Sequence, residues 1–191
     1  MCGRYYADDD TIREIARLVG EIDKTGTEAG DILPSRQAAV ITGLGHPLAA
    51  ARMAWGFLKF DGKGLVINAR AESALEKRSF RESVLHRRCV IPARGFYEWN
   101  KEKEKFTFER PDRDVLFMAG CFCPFDGQDR FVILTTAANP SVSPVHSRMP
   151  LILERDELTA WVRDDTAAAR LLEKAPVMLT RKSEYEQLRL F

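Results

Sequence analysis

The middle of the chain is a succession of short β-branched and aromatic runs, and this limits the possible folds more than any other feature. Cys89-Val90-Ile91, Gly95 to Trp99, Phe106-Thr107-Phe108, Val115 to Cys121 and Phe131 to Thr136 are each strand-length and rich in strand formers. Pro92 separates the first two, and Asp126-Gly127 is a hairpin signal between the last two. The sign-alternating run Lys101 to Lys105 reads as a solvated hairpin tip. Earlier strands are expected at Cys2 to Tyr6, Ala38–Thr42, Leu48–Trp55 and Leu65-Val66-Ile67. The second and third are joined through Gly43 to Pro47, and a glycine-containing turn from Gly56 to Gly64 precedes the last.

Helices gather towards the ends. Asp8-Asp9-Asp10 precedes an apolar stripe of Ile12, Ile15, Ala16 and Val19 that stops at Gly20, the pattern of a capped amphipathic helix. Residues 21–36 read as loop. One helix follows Asn68 to Glu72 and runs through Lys77, and a short one covers Phe80 to Leu85. Others are expected at Asp156–Arg163 and Thr166–Lys174, before a short strand at Val177–Leu179 and a last helical turn. The implied class is α+β, with a mostly antiparallel, partly closed β-sheet or barrel core flanked by helices.

At 191 residues, one domain spanning 1–191 is expected. No apolar run approaches the roughly 18 residues of a spanning helix and the start has no signal-like apolar stretch, so a cytoplasmic, non-membrane monomer is expected. The cysteines at 2, 89, 121 and 123 form no spaced framework and should stay reduced. Cys121 and Cys123 would share a strand face, but zinc needs a second ligand pair, so neither metal nor cofactor is expected. Net charge is only +1, so a nucleic-acid partner would have to be met by a local basic cleft.

Met1 precedes a small residue and is the kind of initiator that is trimmed. Cys2 would then carry a free α-amine beside its thiol, a pair that condenses with an aldehyde to an imine and closes a thiazolidine. Equally, Cys2 is a small hydrophobe at a strand start. Three further polar residues stand in apolar surroundings. Asn68 follows Leu65-Val66-Ile67 and could simply cap the helix after it. Glu98 lies between Tyr97 and Trp99, so alternation puts it on the face opposite those rings, either towards solvent or lining a cleft that would raise its pKa. His146 sits in the proline-punctuated loop Asn139 to Pro150.

Met1-Cys2-Gly3-Arg4-Tyr5, Trp55-Gly56, Ile67-Asn68-Ala69-Arg70-Ala71-Glu72, the run Arg88 to Trp99 and His146-Ser147-Arg148-Met149-Pro150 together closely resemble the SOS response-associated peptidase (SRAP) family, the abasic-site processing proteins. The resemblance implies a sensor of abasic sites in single-stranded DNA that loses Met1 autoproteolytically and forms a thiazolidine crosslink. It makes Cys2 the nucleophile and gives Asn68 the N-terminus and sugar to hold. It assigns proton transfer to Glu98 and ring opening and imine chemistry to His146. Arg4, Arg70, Arg78 and Arg148 would face the DNA backbone, and Trp55 has motif support as a base-stacking ring. The sequence departs from the family where Asp31-Ile32-Leu33-Pro34 replaces Asn-x-Ala-Pro, and where Phe57-Leu58-Lys59-Phe60 replaces a stretch with proline and a second tryptophan. An N-terminal-nucleophile amidohydrolase or peptidase, and a non-covalent single-strand binding module, are the alternatives on the same residues.

Overall fold

Two local signals set the first helix. The Asp8 carboxylate accepts the Thr11 N–H at 2.9 Å, and Gly20 (φ 76°) closes the other end in the left-handed region, its N–H on the Ala16 carbonyl. The computed structural model describes residues 2–20, 29–44 and 48–183. In chain order these give β1 (Tyr5–Ala7), α1 (Asp9–Val19), β2 (Gly30–Ile32), β3 (Gln37–Thr42), β4 (Ala49–Trp55), β5 (Phe57–Leu58), β6 (Leu65–Val66) and β7 (Asn68–Arg70). Next come α2 (Ala71–Ala74), α3 (Arg81–His86), β8 (Arg88–Ala93), β9 (Gly95–Trp99), β10 (Lys105–Glu109), β11 (Leu116–Phe125) and β12 (Gln128–Ala137). The chain continues through β13 (Arg148–Pro150), β14 (Ile152–Leu153), a 3₁₀ turn at Arg155–Glu157, α4 (Leu158–Arg163), α5 (Asp165–Leu171) and β15 (Thr180–Ser183).

Five strands close a ring. β4, β3, β8, β11 and β12 follow one another antiparallel, and β12 returns to β4 in parallel register, Arg130 beside Ala54 and Phe131 beside Trp55. The sheet expected to be partly closed is therefore fully closed at its core. Val40, Met53, Trp55, Ile91, Met118, Phe131 and Ile133 come from all five strands into one buried cluster, which makes their face the inside of the ring. The alternate residues Ile41, Val90, Ala119, Val132 and Leu134 form a second cluster with Phe80, Val84, Leu158 and Trp161, so the helices cover the outside.

A second antiparallel sheet, in the order β15-β10-β9-β1-β2, adds Tyr5, Phe96, Phe106 and Phe108 to the inner cluster. Tyr5 packs on Trp55 with ring centroids 5.2 Å apart, and Trp55 stacks on Phe131 at 6.3 Å, so one aromatic layer joins sheet to barrel. Outside the ring, β7 runs parallel to β12 and β13 runs antiparallel to it.

Several boundaries differ from expectation. The first strand begins at Tyr5 instead of Cys2, and a strand, β2, lies within the stretch read as loop. Pro92 sits inside β8, where the β3 ladder reaches only Cys89 and Val90 and so never needs the N–H that proline lacks. The helix expected through Lys77 is only Ala71–Ala74, and the last strand lies at Thr180–Ser183, beyond the Val177–Leu179 run. The loop before Pro150 ends in β13. Part of the expected Gly43 to Pro47 turn and the final helical turn lie outside the described residues.

Gly95 marks the tightest approach in the second sheet, since a Cβ there would stand 2.6 Å from the Phe108 carbonyl oxygen and 2.8 Å from the Tyr6 ring. Backbone cannot yield as a side-chain tip can. Gly95→Ala is therefore expected to push β10 from β9 and cost about 1–3 kcal/mol, read from the urea unfolding midpoint.

Candidate functional site

The inner face of β9 carries Phe96 and Glu98, and the outer face carries Tyr97 and Trp99. Glu98 is 3% exposed, directly across from Phe106 on β10. Alternation thus separates Glu98 from its aromatic neighbours as expected, but the acid is the member turned inward. Burial pushes its carboxyl above the usual carboxylate range, while neighbouring positive charge, His146 included, pulls it back.

β1 lies between β2 and β9, with Tyr5 paired to Phe96 and the Tyr97 N–H donated to the Arg4 carbonyl at 3.0 Å. That ladder carries the chain start along β9 towards Glu98. Cys2 is fully buried, its Sγ 3.7 Å from the Arg4 carbonyl. Its thiol is held well above the ordinary value, first by burial and then by the Glu98 carboxylate.

Asn68 arrives on β7. The Trp55 indole N–H donates to the Ile67 carbonyl at 2.9 Å and so pins the residue before it, while β7 is registered on β12. From there Asn68 Nδ2 donates to the Cys2 carbonyl at 2.9 Å, a bond across 66 residues of sequence. It is not a helix cap, since Arg70 occupies that position of α2. Its Oδ1 is buried with no hydrogen-bond partner among the described residues.

His146 precedes β13 and is held by Arg148. The Arg148 N–H donates to Nδ1 at 3.0 Å, the contact made when the neutral ring carries its hydrogen on Nε2. The Arg148 carbonyl lies 3.2 Å from the same Nδ1, the contact made when that nitrogen carries the hydrogen. One backbone unit therefore meets Nδ1 in either tautomer, the N–H at the shorter distance.

Cys2 and Asn68 are thus joined by a hydrogen bond, and Glu98 lies near enough to both Cys2 and His146 for its carboxylate to oppose a thiolate and to be favoured by a charged ring. The residues expected at the DNA backbone are less uniform. Arg70 and Arg78 are exposed and make no ion pair among the described residues. Arg4 lies over the Trp99 ring, 5.6 Å from its centroid, with a guanidinium nitrogen 3.6 Å from Asp31. Arg148 is instead committed to Glu72, which receives Nη1 at 2.6 Å and Nη2 at 2.8 Å.

Trp55 corrects its expected role. Its side chain is 0% exposed and wedged between Tyr5 and Phe131, so it cannot stack on a base, and its work is to fix Ile67 ahead of Asn68. Phe57 is likewise buried, whereas Phe60 is wholly exposed and Trp99 half-buried. Sequence reasoning gave no separate role to Glu72, although it ends the Asn68-to-Glu72 string. It also passed over the Tyr5 hydroxyl, which is buried without a partner among the described residues and influenced by Cys2.

A family model described as SOS response associated peptidase (SRAP) matches residues 1–189. Abasic site processing protein YedK of Escherichia coli is 28% identical over 190 residues, covering 92% of this chain and 85% of that protein. Abasic site processing protein YoaM of Bacillus subtilis is 28% identical over 195 residues, covering 91% and 84%. A crystal structure of a protein from Bordetella bronchiseptica has the same fold, with a TM-score of 0.77 at 24% identity over 95% of this chain and 99% of that one.

The raised Glu98 carboxyl binds its proton more tightly folded than unfolded, so the folded state gains stability as pH falls and loses it as pH rises through the folded value. Glu98→Gln, which keeps the shape without the charge, should melt higher than wild type near about pH 7.5, with the gap closing towards about pH 4. Thermal melts across that range check it. A gap that fails to widen with pH would mean that burial of this carboxylate carries no stability cost.

Proposed function

The chain belongs to the SOS response associated peptidase family, and from the grouping around its second residue we propose that it senses abasic sites in single-stranded DNA and crosslinks to them through Cys2. The observation that carries this reading is the 2.9 Å bond from Asn68 to the Cys2 carbonyl beside a buried carboxyl. Such an arrangement holds the second residue of the chain as an active site holds a reactant. The abasic site processing proteins YedK and YoaM support the substrate class.

Autocatalytic hydrolysis of the Met1–Cys2 amide frees the α-amine. An α-amine has an ordinary pKa of roughly 7.7–8, so a useful neutral fraction exists at physiological pH, which an unperturbed lysine lacks. The amine nitrogen bonds to the aldehyde carbon of the opened sugar and water leaves, giving an imine. The Cys2 sulfur then bonds to the same carbon, the thiol proton passes to nitrogen, and a thiazolidine closes with the DNA strand unbroken.

Glu98 serves twice in this scheme. Its protonated form donates to the sugar ring oxygen, and the carboxylate so formed takes the thiol proton as sulfur attacks. Because burial raises both groups, that proton moves during attack and no standing thiolate is required. A cysteine peptidase acting on other substrates depends on a thiolate, which this environment disfavours. His146 Nε2 assists ring opening, and Asn68 Oδ1, which has no partner among the described residues, accepts a hydrogen from the sugar or the amine.

Arg4, Arg70 and Arg78 meet phosphates, while Phe60 and Trp99 keep aromatic surface outside the core that bases can meet. No sequence readout is needed for such a strand.

The test is an abasic single-stranded oligonucleotide mixed with the protein and analysed by intact mass and denaturing gel. A heat-stable adduct of protein plus DNA minus one water, on a chain lacking Met1, is expected. Cys2→Ser, prepared lacking Met1, should lose the stable adduct yet still be captured by borohydride, because the amine remains. A Cys2→Ser adduct as heat-stable as wild type would refute the thiazolidine, and a turned-over peptide or salt-sensitive binding indifferent to the lesion would favour the alternatives. Arg70→Ala should weaken abasic and intact strands alike and lower the salt slope by about 0.7.

A further inference from the structure

The Arg148 side chain is 14% exposed, and both of its terminal nitrogens lie on the two oxygens of Glu72, a parallel fork at 2.6 and 2.8 Å. Nη2 also donates to the Thr135 carbonyl on β12. The pairing holds the Glu72 carboxyl below the usual range, and the hydrogen bond from Arg148 is the largest cause. Glu72 is the second residue of α2, four residues after Asn68. Arg148 opens β13, two residues after His146.

These two segments flank β12 from opposite sides, where Thr135 is registered with both Arg70 and Pro150. Strand pairing alone leaves the ends of β7 and β13 joined only through β12. The fork is the direct link between them.

We propose that Glu72 is a positioning residue for His146, acting through Arg148. The inference rests on the abasic-site reading for its kinetic consequence but not for its structural one. With the guanidinium fixed, the Arg148 backbone is fixed, and its N–H and carbonyl hold His146 Nδ1 at 3.0 and 3.2 Å. The ring thereby keeps its station relative to Glu98, and the shorter contact, from the N–H, favours Nε2 as the hydrogen-bearing nitrogen. A carboxylate is required because only it accepts both arms of the fork; an amide offers one acceptor and turns its NH₂ against the guanidinium. The same pairing withholds Arg148 from phosphate, so losing Glu72 frees a cation beside the proposed DNA path instead of removing one.

That gives Glu72 a signature opposite to that of a DNA-binding residue. Glu72→Gln should slow adduct formation at saturating abasic DNA by tenfold or more, while binding of an intact strand is not weakened. Arg148→Lys, which keeps the charge but not the fork, should slow the reaction similarly. In the free protein, ¹⁵N–¹H correlation of the His146 ring should show the Nε2–H tautomer in wild type and a mixture in Glu72→Gln. Glu72 is half-exposed, so the variant is expected to fold, and a thermal melt verifies it. A Glu72→Gln protein with the wild-type ring tautomer and a saturating rate within twofold of wild type would overturn the proposal. If wild type itself forms no adduct, the reading of function fails, and the ring measurement still decides the role of Glu72.

Discussion

The parallel return of β12 to β4 is the contact on which the rest hangs. Without Arg130 beside Ala54 and Phe131 beside Trp55, the five strands would be an open sheet with the β4 edge left unpaired. Closing the ring also makes β12 a hub. It carries β7, and with it Asn68, along one stretch, and β13, behind His146, along another. The second sheet is fastened to the same place through the Tyr5, Trp55 and Phe131 layer. Residues from the start, middle and end of the chain meet because each segment is docked, directly or through aromatic packing, on this one strand.

Features written in neighbouring residues were legible in the sequence. Asp8 and Gly20 cap α1 through bonds to residues within four positions, and Asp126 and Gly127 take the positive φ angles of 48° and 78° that a tight hairpin needs. Features set by distant partners were not. β2 has two exposed residues out of three and is a strand only because β1 lies beside it. The motif around Trp55 marked the residue as important without saying which way its ring points, and packing decided for the core. Glu98 shows the limit most clearly, since alternation separated it from Tyr97 and Trp99 but could not tell which face the second sheet would bury. The four central residues were recoverable through the family resemblance; the fork between Glu72 and Arg148 was not, because nothing local relates positions 76 residues apart.

The site is arranged at some cost to the fold. A carboxyl raised by burial and an amide oxygen without a partner among the described residues are features that a core built for stability alone would avoid, a buried unsatisfied polar atom costing roughly 1–3 kcal/mol. The closed ring and the clusters on its two faces supply the surplus that tolerates them. Around them the fixed parts are backbone: the Cys2 carbonyl, the Arg148 N–H and the Ile67 carbonyl. Side chains at the centre are therefore set by backbone groups at or close to strand ends.

The placement of β1 as an interior strand has a consequence for the order of synthesis. Its neighbour on one side, β2, leaves the ribosome soon after it, but its neighbour on the other, β9, begins roughly 90 residues later. At roughly 5–20 residues per second, that delay is on the order of ten seconds. Through that interval Cys2 and β1 have no β9 to lie against, and Glu98, which β9 carries, is not yet made. Burial of Cys2 therefore waits on the second ladder partner of β1, however early in synthesis the amino terminus itself emerges.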